Sequence, residues 1–215
     1  MSKKYELTNE TKTLADGTVL HRIRALRDIP RFGVKAGELG GFVEGENNLS
    51  QDGDAWVFCN ANVYGDAEVY GKAWVYGDAE VFGNAEVFGD AEVYGNAWVY
   101  GDAEVYGNAK VYGNAAVSGK AWVFDNAEVY GDAEVSANSD YMVVKNIWSS
   151  GRWFTYTSSN KKWAVGCFYG TGEELVAKAY KDSKLSGKCY VAIVHAVETI
   201  EAAKAEAKGE SNGSK

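Results

Sequence analysis

The sequence predicts a mainly β protein: a triangular β-helix of hexapeptide repeats, with a β cap at one end and a small α+β domain at the other. The first observation is that residues 53–136 divide into fourteen consecutive six-residue repeats without an insertion or deletion. A fixed short period is typical of solenoids, and a period of six is typical of β-helices. The second is the abundance of Val, Tyr, Phe and Trp beside a single proline, which favours strands.

Each repeat, such as GDAEVY at 89–94, alternates small or branched residues with polar or aromatic ones. Because side chains alternate across a strand, Ala and Val share the interior, whereas the variable residue and the aromatic residue point outward. Gly followed by Asp or Asn turns the corner, since these residues tolerate left-handed backbone angles. Three repeats close one coil of eighteen residues, so the array makes between four and five coils and is about 22 Å tall at about 4.8 Å per coil.

The residues before the array predict a cap, because a solenoid needs a cover on its open end. The segment KYELTNETKTLADGTVLHRIRALRDI, residues 4–29, is typical of two strands joined at Asp16-Gly17, a common hairpin turn. The segment LGGFVEGENNLSQDGDAWVF, residues 39–58, then leads into the first repeat. We therefore assign residues 1–52 to an N-terminal β-hairpin cap and 53–136 to the β-helix.

The repeat ends at Ser136, and residues 137–209 predict a small α+β domain that covers the other end of the coil. A capping box of Thr171 with Glu174 marks the start of a helix in this domain. In order, we expect three strands with a turn at Ser159-Asn160, this helix, a further strand and a short helix: 140–150, 152–159, 161–170, 171–185, 188–197 and 198–209. Residues 210–215 are expected to form a flexible tail.

Outward residues eighteen positions apart stack into columns, one aromatic column on each face of the coil. The columns are Tyr64, Phe82 and Tyr100 followed by Ser118 and Ser136 on face 1; Phe58, Tyr76, Tyr94, Tyr112 and Tyr130 on face 2; and Tyr70, Phe88, Tyr106 and Phe124 on face 3. Stacked rings stabilise neighbouring strands by roughly 0.2–1 kcal/mol per pair, so the columns have a structural interpretation. The alternative is a flat aromatic surface that binds a partner, a ligand or a second copy of the chain.

The variable residues form a second outward column on each face. These columns are Asn62, Glu80, Trp98, Ala116 and Glu134 on face 1; Trp56, Trp74, Glu92, Lys110 and Glu128 on face 2; and Glu68, Glu86, Glu104 and Trp122 on face 3. Like charges on adjacent strands are unfavourable, so the glutamate row of face 3 invites a basic partner, although solubility also explains it. The candidate binding residues are Glu68, Glu86, Glu104, Trp122, Trp56, Trp74, Trp98, Tyr76, Tyr94, Tyr112, Tyr70, Phe88 and Tyr106.

Charge and composition limit the partners and the compartment. The net charge is −8, and the array alone carries fourteen acidic residues against three lysines, which argues against direct binding to nucleic acid. We expect no membrane span, signal peptide or metal site, and no cofactor. Three cysteines without metal-ligand spacing indicate free thiols in a reducing compartment, so the chain is expected in the cytoplasm.

The array resembles the left-handed β-helix of hexapeptide-repeat proteins, in which an aliphatic residue is followed four positions later by a small one. Val69 with Ala73 and Val75 with Ala79 fit that spacing, whereas the Tyr or Phe after each Val departs from it. The resemblance implies a left-handed coil and a dimer or trimer. It implies acyltransferase activity only with a catalytic histidine and an extruded loop, and the array contains neither.

His21, His195 and Cys167 lie outside the array and are candidates for catalytic roles. We expect structural roles for His21 in the cap hairpin and for His195 in a strand. Cys167 and His195 lack any spacing that favours a nucleophile–base pair, and both are expected at buried strand ends.

The whole chain also resembles a group of bacteriophage and prophage proteins, through its opening segment, the segment leading into the array, and VGCFYGTGEEL at 165–175. This resemblance implies a phage protein that acts in the cytoplasm of a bacterial host. Our leading hypothesis is a non-enzymatic binding protein that counteracts a host defence system by binding a host protein or a small signal molecule. The alternatives are a hexapeptide-type acyltransferase and a structural coil that self-assembles.

Overall fold

The computed structural model describes residues 3–212, with side chains up to residue 207, and shows a β-helix of about five coils between two caps. Its strands are β1 (Tyr5–Thr13), β2 (Val19–Ala25), β3 (Leu39–Val43), β4 (Trp56–Val57), β5 (Asn62–Val63), β6 (Glu68–Val69), β7 (Trp74–Val75), β8 (Glu80–Val81), β9 (Glu86–Val87), β10 (Glu92–Val93), β11 (Trp98–Val99), β12 (Glu104–Val105), β13 (Lys110–Val111), β14 (Ala116–Val117), β15 (Trp122–Val123), β16 (Glu128–Val129), β17 (Glu134–Val135), β18 (Tyr141–Lys145), β19 (Trp153–Thr157), β20 (Lys162–Val165) and β21 (Phe168–Gly170). The α-helices are α1 (Gly172–Asp182) and α2 (Lys184–Asn212), and short 3-10 helices span Pro30–Phe32, Glu46–Asn48 and Asn138–Asp140.

The predicted coil is confirmed, with one parallel sheet on each of its three faces. Face 1 contains β5, β8, β11, β14 and β17; face 2 contains β4, β7, β10, β13 and β16; face 3 contains β6, β9, β12 and β15. Each residue pairs with the residue eighteen positions away, as Val93 does with Val75 and Val111. The repeat Ala and Val side chains fill the interior and are fully buried, as their alternation predicts.

The corner between repeats requires a left-handed backbone. Gly95 has a φ of 74°, and a Cβ atom added there would lie 3.1 Å from the amide nitrogen of Gly113 in the next coil. Two corners lack glycine, yet Cys59 and Asp125 adopt the same conformation with φ of 56° and 57°. The geometry of the coil therefore overrides the local cost of positive φ for these two residues.

The N-terminal cap is confirmed and extends face 1. β1 pairs antiparallel with β2, β2 pairs antiparallel with β3, and β3 pairs in parallel with β5. Lys4 lies fully buried over the open end of the coil, where its ammonium donates to the Ala55 carbonyl oxygen at 2.8 Å. The Tyr5 hydroxyl likewise donates to the carbonyl oxygen of Leu49 at 2.7 Å. These bonds satisfy backbone carbonyls that the first coil leaves without a strand above them.

The C-terminal domain covers the opposite end by satisfying the last strand of every face. Each of these three strands donates a backbone N–H to a side-chain oxygen of the domain. The pairs are Trp122 with Asn138 Oδ1 at 2.6 Å, Glu128 with Thr155 Oγ1 at 2.9 Å, and Glu134 with Ser159 Oγ at 2.8 Å. One backbone donor on the last strand of each face is therefore occupied by the C-terminal domain, which hinders the addition of another strand at this end.

The C-terminal domain is an antiparallel sheet of β18, β19, β20 and β21 packed against two helices. The capping box at the start of α1 is confirmed: the Thr171 N–H donates to Glu174 Oε2 at 2.8 Å, and the Glu174 N–H donates to Thr171 Oγ1 at 3.3 Å. The predicted turn at Ser159-Asn160 also joins β19 to β20.

The strand predicted at 188–197 is wrong, because these residues belong to α2. Tyr190, Val194 and Val197 recur at helical spacing and are buried against the sheet and α1. The β-branched residues suggested a strand, but packing of this apolar stripe decides the conformation. α2 continues through Asn212 into the expected flexible tail, and residues 213–215 of that tail lie outside the described residues. Along residues 3–212, neither helix is long and apolar enough to span a bilayer.

Candidate ligand-binding groove

The aromatic columns of faces 2 and 3 are continuous stacks. On face 2 the centroids of Tyr76, Tyr94, Tyr112 and Tyr130 follow one another at 4.7, 4.7 and 4.3 Å, and Phe58 packs against the core at the start of the column. Tyr169 of the C-terminal domain then contacts Tyr130 with a centroid distance of 4.3 Å. On face 3 the four rings of Tyr70, Phe88, Tyr106 and Phe124 are 4.8, 4.9 and 5.4 Å apart.

The aromatic column of face 1 stops halfway along the coil. Tyr64, Phe82 and Tyr100 stack at 5.1 and 5.0 Å, but the next two positions are Ser118 and Ser136. The variable residue beside Ser118 is also small, because Ala116 replaces the usual Glu or Trp. Face 1 therefore lacks outward aromatic rings over its last two coils, while its backbone pairing continues unbroken through β14 and β17.

A groove of about 850 Å³ occupies this position. Trp98 and Tyr100 lie at one end, Ala116 and Ser118 form the floor, and Ser136 and Asp140 lie at the other end. The opposite wall comes from the C-terminal domain, through the Ser158-Ser159 turn and through Glu201, Lys204 and Ala205 of α2. The missing rings and the overlying helix together create a concave site at this end of face 1.

The groove carries an excess of negative charge. Lys204 is its only cation among the described lining residues, and three acceptors surround its ammonium: Ser139 O at 2.8 Å, Ser158 Oγ at 3.3 Å and Glu201 Oε1 at 2.6 Å. An ammonium has three donors, so these contacts use all of them. The salt bridge with Glu201 leaves Glu134 and Asp140 as the uncompensated charges of the site.

Asp140 is held in its ionised form. Burial opposes the charge, but the N–H and hydroxyl of Ser136 and the N–H of Ala137 all donate to Asp140 Oδ2 at 2.8–2.9 Å. These hydrogen bonds outweigh burial and lower the pKa of the Asp140 carboxyl below its usual range. The Glu134 side chain is exposed and belongs to none of the ion pairs found within residues 3–212.

The four predicted tryptophans of the outward columns differ in accessibility. Trp98 is 50% exposed at the groove and Trp122 is 45% exposed on face 3. Trp56 cannot form a binding surface, because the cap buries it completely and Tyr5 packs edge-on to its ring at 6.4 Å. Trp74 is half-buried for the same reason, since Phe32 of the cap stacks on it at 4.8 Å.

The predicted glutamate row of face 3 is present in the expected register, with Glu86 paired between Glu68 and Glu104. Glu86 also accepts a hydrogen bond from the Tyr70 hydroxyl at 2.7 Å, and burial with this acceptor raises the pKa of Tyr70. Face 2 avoids such a row of like charges, because Lys110 lies between Glu92 and Glu128. Its ammonium is 3.3 Å from the Glu92 carboxylate. Faces 2 and 3 therefore present stacked side chains. Among the described residues, the cavity found on face 3 has a volume of about 370 Å³, less than half that of the groove.

The residues with catalytic potential are dispersed, and two expectations about them are wrong. Cys167 lies exposed in the turn between β20 and β21, and His195 lies exposed on α2, so neither is a buried strand end. His21 lies in β2 as expected, with Nδ1 3.3 Å from the carbonyl oxygen of Thr8. The three cysteines are free, and the described part of the chain contains no cluster of metal-ligating side chains.

Comparisons of the sequence with protein-family models and with curated proteins found no match. The functional interpretation therefore depends on the groove itself. Trp98 was predictable as an outward residue, whereas the α2 wall with Glu201 and Lys204 was not, because the sequence predicts a strand over part of α2. The signal for the floor was visible in the columns, where Ala116, Ser118 and Ser136 interrupt the repeat.

Proposed function

We propose that this protein is a non-enzymatic binding protein and that the groove on face 1 is its ligand site. The observation that carries the proposal is the coincidence of two independent features: the array loses its outward bulk at Ala116, Ser118 and Ser136, and α2 covers the same two coils. A volume of about 850 Å³ lies in the range of small-molecule pockets, so a small molecule fits the groove better than a protein surface does.

The phage resemblance supplies the setting of this proposal. Of the two partners considered above, a host protein and a small signal molecule, the concave shape of the groove favours the small molecule. We therefore propose sequestration of a small host molecule in the bacterial cytoplasm as the biological role.

The acyltransferase alternative has little support from the residues of the groove. Neither histidine nor cysteine is found among the described residues that line it, and Cys167 and His195 lie in separate exposed positions. Saturable binding of acetyl-coenzyme A in calorimetry would revive this alternative. The self-assembling coil is opposed by the two caps, because their side chains occupy the backbone groups that end-to-end growth needs.

The experiment that tests the proposal compares two matched tryptophans. The protein is purified from a bacterial host, and small molecules released on denaturation are identified by mass spectrometry. Trp98→Ala is compared with Trp122→Ala, since both side chains are similarly exposed at the same repeat position on different faces. We expect a released molecule from the wild type and from Trp122→Ala, and its loss from Trp98→Ala. The same release from all three proteins, or none from the wild type, would contradict the proposal.

A phage infection assay tests the biological part with the same variants. Cells that express the wild-type chain should support growth of a phage restricted by the host, and Trp98→Ala should abolish this effect. Trp122→Ala serves as the control for a general loss of surface tryptophan. Equal protection by all three proteins would show that protection of the phage does not depend on the groove.

A further inference from the structure

We propose, on the basis of the binding function above, that the groove takes a positively charged, planar heteroaromatic ligand that stacks on Tyr100 and occupies the ring positions missing at Ser118 and Ser136. The shape of the site argues for the planar ring, and its charge argues for the cation. The two arguments use different residues and are tested separately.

The planar ring follows from the interrupted column. One face of the Tyr100 ring stacks on Phe82 with a centroid distance of 5.0 Å and an interplanar angle of 3°. The other face is directed toward the next coil, where Ser118 provides no ring. Successive coils are about 4.8 Å apart, so the two coils at Ser118 and Ser136 leave about 10 Å along the column. A flat ring placed there repeats the offset stacking that continues on face 2 from Tyr112 to Tyr130.

The residues beside the gap leave it accessible from solvent. Ala116 is the smallest residue of its column and lies next to Ser118, while Trp98 remains 50% exposed on the adjacent strand. Trp98 points to the same side as Tyr100 and meets Phe82 edge-on at 6.4 Å. An accessible indole beside an open stacking position suits a cation, because the face of Trp attracts positive charge more strongly than any other side-chain ring.

The charged residues of the groove also favour a positively charged ligand. Glu134 and Asp140 are uncompensated, and the hydrogen bonds that the Asp140 carboxylate accepts from Ser136 and Ala137 keep it ionised. Lys204 cannot receive a phosphate without breaking its contacts with Ser139, Ser158 and Glu201. A phosphorylated ligand would therefore meet two carboxylates and no free cation, whereas a cationic ring is attracted to both the carboxylates and the indole.

Three probes separate shape from charge in isothermal titration calorimetry. Proflavine is planar and cationic, choline is cationic without a ring, and adenosine monophosphate is planar and anionic. We expect saturable one-to-one binding of proflavine and at least tenfold weaker binding of the other two. Binding of choline as tight as that of proflavine would overturn the proposal that the ligand needs a planar ring. Binding of adenosine monophosphate that is tighter than that of proflavine would overturn the proposal that the ligand is positively charged.

Matched variants assign the binding to the groove. Ser118→Tyr restores the missing ring and should weaken proflavine binding by about tenfold or more, whereas Ser118→Ala keeps the gap and should change it less than about twofold. Glu134→Gln should weaken binding by about fivefold, while Glu86→Gln on face 3 should leave it unchanged. Unchanged affinity of Ser118→Tyr, with a native circular dichroism spectrum and a melting temperature no lower than that of the wild type, would overturn the proposed position.

The two proposals fail in distinguishable ways. A released host molecule that depends on Trp98 but is anionic or lacks a ring would retain the binding function and refute the ligand class. Absence of any released molecule would refute the binding function, whatever proflavine does. Binding of proflavine that ignores both Ser118→Tyr and Glu134→Gln would show adsorption to the acidic faces and refute the ligand class.

Discussion

Faces 1 and 2 are built from the same repeat and the same backbone pairing, yet of the two only face 1 borders the groove. The column of face 2 continues through Tyr130 and ends on Tyr169, a ring supplied by the C-terminal domain. The column of face 1 ends at Tyr100, and the C-terminal domain faces the gap with polar side chains instead. Ser118 and Ser136 thus distinguish the interrupted column beside the groove from the continuous column of face 2.

The largest expected effect comes from high pH, because face 2 depends on neutral phenols. Burial, with a contribution from Glu92, raises the pKa of Tyr94 from 10.0 to about 12, and burial also raises the pKa of Tyr76 and Tyr112. A group whose pKa is raised on folding contributes stability that is complete below about pH 10 and is lost as the pH rises toward the folded value. We expect the urea midpoint of unfolding to fall steeply between pH 10 and 12, measured by circular dichroism.

A phenylalanine variant assigns this loss to face 2. Tyr94→Phe keeps the ring in the column but removes its ionisation, so its urea midpoint should fall less between pH 10 and 12 than that of the wild type. At pH 8 the two midpoints should be close. The same decline in both proteins would place the alkaline sensitivity elsewhere in the molecule.

The second prediction compares a ring inside a column with a ring at its end. Tyr112 stacks on both sides, at 4.7 and 4.3 Å, and its hydroxyl donates to Glu128 at 3.4 Å. Tyr100 stacks on one side only. Tyr112→Ala should therefore lower the free energy of unfolding by about 3 kcal/mol and Tyr100→Ala by about 1.5 kcal/mol. Equal losses in urea titrations at pH 8 would remove the distinction between the two faces.

The third prediction converts face 1 toward face 2. Ser118→Tyr should extend the column from Tyr100 and raise the free energy of unfolding by about 0.5–1 kcal/mol. Ser118→Ala is the control, since it removes the hydroxyl without adding a ring. A melting temperature of Ser118→Tyr below that of Ser118→Ala would show that the gap does not accept a ring.

The smallest effects concern the charged columns, where faces 2 and 3 differ. Glu104→Lys would place a lysine beside Glu86 on face 3, as Lys110 lies beside Glu92 on face 2, and should raise the free energy of unfolding by about 0.5 kcal/mol. Lys110→Glu would give face 2 a continuous acidic row and should lower it by a similar amount, about 0.5 kcal/mol. Both differences should vanish in 1 M salt, because the Debye length is then about 3 Å. Persistence of either difference in salt would indicate a packing effect instead.

The coil and the columns were predictable because the repeat fixes both the side on which each residue lies and its neighbours at a separation of eighteen residues. Ala91 and Val93 both point inward and are fully buried, as their positions in the repeat predict. The stacking of Tyr94 on Tyr112 follows from the pairing of residues eighteen positions apart. The capping box of Thr171 was predictable for a similar reason, since its partner Glu174 lies three residues away.

The covered tryptophan and the groove wall depend on contacts between distant segments, which no local pattern encodes. Trp56 occupies the same repeat position as Trp98, but the cap buries the former and leaves the latter exposed. Glu201 and Lys204 reach the groove only because α2 is one continuous helix, and the β-branched residues at its start favoured a strand. Tertiary packing overrode the local strand preference of these residues, so the sequence did not predict the wall of the groove.

The corner conformation also gives the array a second property: its length sets the rotation of the C-terminal domain about the axis of the coil. Each repeat turns the chain by a third of a revolution, so the number of repeats determines which face of the coil the C-terminal domain meets. Deleting three repeats would shorten the protein by about 4.8 Å and keep α2 over face 1, whereas deleting one would move α2 over a different face. Fourteen repeats place the helix over the two serines, so the position of the proposed binding site depends on the number of repeats as well as on the residues that line it.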